Sequence, residues 1–107
     1  MKKDKRKKLE AKGWKVATAA EFLELTPEEE SLIELRLALS KAVKKRRLDA
    51  NLTQAAAAQL LRSSQSRLAK MEAGDKSVSL DLLIRNLFIL GVKVADFPKV
   101  LKESLNS

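Results

Sequence analysis

A chain of 107 residues is large enough for one hydrophobic core, and without cysteine or histidine it can form no disulfide, no thiolate or imidazole metal site, and no Ser-His-Asp or Cys-His catalytic centre. Three glycines, two prolines and no tyrosine, beside abundant leucine and alanine, favour helix over sheet, and no apolar run approaches the ~18 to 20 residues of a membrane span. The formal net charge of +8 is unevenly spread: residues 1–15 hold eight Lys or Arg against two acids, residues 16–35 hold six Glu and no base, and residues 36–107 hold fourteen bases against six acids. The stretch after residue 35 is therefore the part suited to a polyanion. The basic start lacks the apolar run of a signal peptide, so the expected location is cytoplasmic.

In chain order, Met1–Lys8 (MKKDKRKK) has too little apolar surface to fold, and residues 1–17 read as a basic N-terminal arm that Trp14 can anchor. Residues 18–107 then form one domain. Thr18 can cap a short helix, Ala19 to Glu24, with Phe22, Leu23 and Leu25 on its apolar side. Thr26-Pro27-Glu28-Glu29 is a start signal: Thr26 and Glu29 can each accept from the other's amide, and Pro27 stands where a missing amide does no harm. Glu28, Glu29 and Glu30 face the positive end of that helix dipole, which explains the acidic cluster without catalysis. The spacing of Leu32, Leu35, Leu39, Ala42 and Val43 predicts a helix to about Leu48, with Ile33 and Leu37 off the stripe as a second apolar surface. Lys41, Lys44, Lys45, Arg46 and Arg47 suit its negative end.

Two short helices follow. Thr53 caps Gln54 to Leu61, and Ser63 or Ser64 caps a helix through Ala73 that ends at Gly74. Asp75 to Ser79 reads as a loop, and a further helix starts near Ser79 with Leu80, Leu82, Leu83, Leu87, Phe88 and Leu90 apolar. Gly91 ends it. Val94, Phe97, Val100, Leu101 and Leu105 predict a short closing segment interrupted by Pro98. The fold class is thus all-α, a bundle of about five helices besides the arm and its short helix.

The segment LTQAAAAQLLRSSQSRLAKMEAG, Leu52 to Gly74, encodes two helices crossing steeply, a helix-turn-helix at about residues 53–73. Ala58 sits where they approach, Leu61, Leu68 and Met71 fill the wedge beneath, and Ala57 lies beside them. These residues resemble the helix-turn-helix of the Xre or Cro/CI repressor family, with Arg47 five positions before Leu52-Thr53-Gln54, then Ala58, Leu61, Ser64-Gln65-Ser66, Leu68, Met71-Glu72 and Gly74. Ser79 to Val92 resembles the helix that closes that family's core, so the resemblance spans about residues 43–97 and implies a lambda-repressor-like bundle. EFLELTPEEESLIELRLALSKAV, upstream, is similar to a narrower branch that includes HigA-type antitoxins. One departure is Arg62, at a turn position where the family usually has glycine in a left-handed conformation.

The resemblance implies roles. The second helix would lie in the major groove of double-stranded DNA with Gln65, Ser66, Arg67 and Lys70 on base edges, where Gln pairs with adenine, Arg or Lys with guanine, and Ser with either. Thr53, Gln54, Arg62, Ser64 and Lys76 are candidates for phosphate contact, and Arg47 with Glu72 for a partly buried structural ion pair. The expectation is a sequence-specific transcriptional regulator repressing its own promoter as a homodimer on a near-palindromic operator, with no cofactor, no metal, no membrane and no enzymatic activity. The alternative is an antitoxin that silences a small ribonuclease toxin by direct contact.

Overall fold

The computed structural model describes residues 24–106. The basic arm, Trp14 and the short helix expected from Ala19 lie outside the described residues, except for Glu24, which sits in a turn with φ +49° and not in a helix. The chain divides between Ile33 and Glu34 into two compact units. In the first, the start signal forms as its residue types dictate: Thr26 N–H donates to the Glu29 carboxylate and Glu29 N–H to Thr26 Oγ1, both at 3.1 Å. Helix α1 (Pro27–Asp49) begins there, with Pro27 at its first position and three glutamates in its first turn. Leu32 is 49% exposed, so the expected stripe does not begin at that residue.

In the second unit α1 is followed by α2 (Gln54–Leu60), α3 (Gln65–Ala73), α4 (Leu80–Ile89), a single 3-10 turn (Val94–Asp96) and α5 (Phe97–Leu105). Five α-helices and no strand among the described residues give the expected all-α bundle. Leu39, Ala42 and Val43 of α1 pack with Ala57, Ala58 and Leu61, with Leu68 and Met71 of α3, and with Leu83 and Leu87 of α4. Leu39, Leu68, Leu83 and Leu87 are sealed from solvent, each contributing ~1.5 to 3 kcal/mol of burial. Leu35 packs against this cluster from its edge.

The ends of the helices explain its compact joints. After α1, Asn51 takes φ +57° and Leu52 N–H returns to the Arg47 carbonyl at 3.1 Å, a left-handed closure that redirects the chain into α2. After α3, Gly74 takes φ +75°, and a Cβ there would stand 2.6 Å from Leu37 Cδ2 of α1. The backbone angle therefore favours glycine, and a side chain there would also push the Leu37 methyl aside. Pro98 does not interrupt the closing segment: it lies in the first turn of α5, where its missing amide breaks no helical bond. Phe97 meets Phe88 edge-on at 5.2 Å between ring centroids, tying α5 to α4.

Candidate nucleic-acid interface

Helices α2 and α3 are joined by Leu61 to Ser64, and each begins on a hydroxyl cap. Thr53 Oγ1 accepts from Ala56 N–H at 3.0 Å, and Ser64 Oγ accepts from Arg67 N–H at 3.1 Å. Between them, Ser63 N–H reaches back to the Ala58 carbonyl at 2.8 Å, which places Arg62 in the left-handed region at φ +54°. The position where a glycine would be free of strain is thus held by an arginine, at a cost of ~1 kcal/mol. Ala57 and Ala58 are buried where the helices cross, and their small side chains allow the approach. Leu61, Leu68 and Met71 are buried below, and Asn86 Nδ2 of α4 donates to Met71 Sδ at 2.9 Å.

With Leu68 and Met71 turned inward, helical spacing turns the rest of α3 outward. Gln65, Ser66, Arg67 and Lys70 are all exposed, as are Thr53, Arg62, Ser64 and Lys76. Ser64, Ser66, Arg67 and Lys70 border a shallow groove whose far wall is Ser77 and Val78. Ser64 Oγ and Ser66 Oγ lie 3.3 Å apart, so the serine at the cap can also orient its neighbour. Among the described residues neither Arg67 nor Lys70 takes part in an ion pair.

Arg47 and Glu72 behave differently. Arg47 Nε donates to Glu72 Oε2 at 2.6 Å and Nη2 to Oε1 at 3.0 Å, a bidentate pair, while Nη1 donates to the Leu52 carbonyl at 2.9 Å. The side chains are only 10% and 4% exposed. The hydrogen bond to Glu72 raises the pKa of Arg47 above its already high ordinary value, so the guanidinium stays charged throughout the range of folding. The pair fastens α3 to the end of α1 and to the entry of α2. Gln54, expected at a phosphate, is half-buried and commits its amide to Glu72 Oε1 at 3.2 Å, joining this clamp.

Several contributors escaped the sequence reading. Asp75 accepts from Ser77 N–H at 2.8 Å, a local turn that shapes the loop carrying Lys76; the Ser77 hydroxyl and that bond hold the Asp75 carboxyl below its ordinary pKa. The Asp-x-Ser spacing is a local signal that could have revealed it. Arg36 donates to the Val78 carbonyl, pinning the same loop to α1. No local pattern announces a bond between residues so far apart in the chain.

A family model described as helix-turn-helix matches residues 43–97, just over half of the chain. No curated protein and no solved structure matches it. The matched region begins at Val43 and so includes little of the segment that resembles the antitoxin branch. It runs from the end of α1 to the first residue of α5, so the clamp, both capped helices and the exposed face of α3 all lie inside it.

Proposed function

The chain belongs to the helix-turn-helix family of the Xre/Cro-CI type, a DNA-binding regulator family with a lambda-repressor-like fold, and from that premise we propose that it is a sequence-specific repressor of its own promoter. One observation carries the reading. Gln65, Ser66, Arg67 and Lys70 stand exposed on a helix whose other side is fixed by Leu68, Met71 and the Arg47–Glu72 pair. Side chains of these types on a rigid helix match the donor and acceptor pattern of the major groove, with Gln65 and Ser66 reading bases. Arg67 and Lys70 serve bases or phosphate, and Thr53, Arg62, Ser64 and Lys76 hold the backbone. Gln54 supports α2 through Glu72 and stands with Thr53 among the proposed phosphate contacts.

A single motif covers few base pairs, and repressors of this design act in pairs with recognition helices ~34 Å apart. We assign a homodimer to this protein. Val94 and Leu105, 75% and 50% exposed in and near α5, supply apolar surface for it. Selection of bound sequences from random duplex DNA tests the whole reading: a two-fold symmetric consensus is expected, and a pool that stays random would overturn it. The antitoxin reading rests on the resemblance of residues 21–43; co-purification of a small basic ribonuclease from native extract would establish that second role.

A further inference from the structure

A second groove runs between the α2–α3 turn and α4. Arg62, Arg67 and Arg85 line it, with Ser63, Leu82 and Ile89, and no carboxylate does. Each arginine comes from a different place: Arg62 from the turn, Arg67 from the first turn of α3, Arg85 from the middle of α4. All three are exposed, and among the described residues none takes part in an ion pair. Asp81 stands four residues before Arg85 on α4, a spacing that often pairs, yet the two form no ion pair here. The cleft between α1 and α5 shows the contrast. There Lys45, Arg46 and Lys99 are interleaved with Asp49, Asp96 and Glu103, and Lys45 bridges to Asp49 and Glu103 at 3.5 and 3.7 Å. One cleft thus carries three carboxylates beside its three basic side chains, and the other carries three arginines and none.

We propose that the three-arginine groove is a phosphodiester site, and that Arg85 is a DNA-backbone contact from outside the helix-turn-helix. Guanidinium forks match the oxygens of a phosphate, and three of them without a competing acid concentrate positive potential in one concave place. The proposal rests on the reading of α3 as the helix in the major groove. Because the groove opens at the turn before Gln65, the phosphate it meets belongs to DNA flanking the bases that α3 reads. The binding site is therefore longer than its base-specific core.

The test compares two duplexes carrying the same selected core, one ending at the core and one extended by about half a helical turn on each side. Wild-type protein should bind the extended duplex more tightly. Arg85→Ala should lose that advantage, bind the short duplex as the wild type does, and keep its Tm, since Arg85 is exposed. The wild-type advantage over Arg85→Ala should shrink ~3.5-fold between 50 and 200 mM salt for each phosphate that the arginine neutralises. Arg85→Lys should retain most of the salt dependence. Equal affinity of wild type and Arg85→Ala for the extended duplex overturns the proposal while leaving sequence-specific binding intact. If the wild type fails to prefer its core over random DNA, the parent reading has failed and this one with it. A titration with inorganic phosphate, followed by the amide resonances of Ser63 to Arg67, separates the sources. Arg85-dependent saturation by the free anion, with no effect of Arg85→Ala on flanked DNA, would assign the groove to a soluble ligand and overturn the DNA contact.

Discussion

Arg47 and Arg67 lie in the same family-matched region and meet opposite fates. Arg47 is nearly sealed from solvent, holds Glu72 through two hydrogen bonds and Leu52 through a third. Arg67 is exposed on α3 and borders two grooves without meeting a carboxylate. On the inner side of α3, charge is spent on geometry: it fixes where the helix lies. On the outer side, among the described residues, Arg67 and Lys70 carry charge that no ion pair within the protein engages. A reading surface needs both, because an unpaired side chain discriminates between partners only if the backbone beneath it does not move.

The comparison breaks most sharply if the clamp is cut on one side. Glu72→Ala leaves the Arg47 guanidinium buried without its partner, and we expect a loss of ~3 to 5 kcal/mol in unfolding free energy. Arg47→Met together with Glu72→Leu removes both charges and should fall far closer to the wild type, since no lone ion remains. Chemical denaturation of the three proteins measures this. A double variant as unstable as Glu72→Ala would mean that the pair stabilises the fold outright, and its role as a positioning clamp would need revision.

The outer face should respond in the reverse manner. Gln65→Ala or Ser66→Ala is expected to leave Tm unchanged and to relax preference at one or two base pairs, with a penalty of ~1 to 3 kcal/mol where a two-bond contact disappears. Binding to a panel of single-base variants of the selected site gives the measurement. Equal weakening on the selected site and on random duplex DNA would show that these residues do not read bases.

The difference between the two faces also marks what could be read from the chain alone. The caps at Thr26, Thr53, Ser64 and Ser79 and the left-handed Gly74 are local devices, and each does in the structure what its residue type suggests. Leu39, Leu68 and Met71 follow from helical spacing. The expectation for Pro98 fails because a proline breaks a helix only in its interior, and spacing alone does not show that α5 begins one residue earlier. The bond from Arg36 to Val78, the groove shared by Arg67 and Arg85, and the amide of Gln54 on Glu72 depend on which helix packs beside which. A residue pattern along one helix does not contain that information. For the exposed face, the sequence supplies the residue types, and the family resemblance supplies their roles.

Arg62 joins the two halves of the comparison, because it combines backbone strain with an uncompensated charge. Arg62→Gly removes both. Glycine accepts φ near +54° without the Cβ clash, so the variant should be more stable by about 1 kcal/mol, reduced somewhat by the greater freedom of its unfolded chain. The same substitution takes away a guanidinium beside the proposed phosphate path, so affinity for DNA should fall and the salt slope should decrease by ~0.9 for each phosphate no longer neutralised. Arg62→Lys keeps the charge and the strain, and should leave stability and salt slope near the wild-type values. Opposite signs in the two measurements for Arg62→Gly would mean that the turn retains an arginine at a cost to folding and a benefit to binding. A rise in Tm with an unchanged salt slope would leave the strain real but take Arg62 away from the DNA.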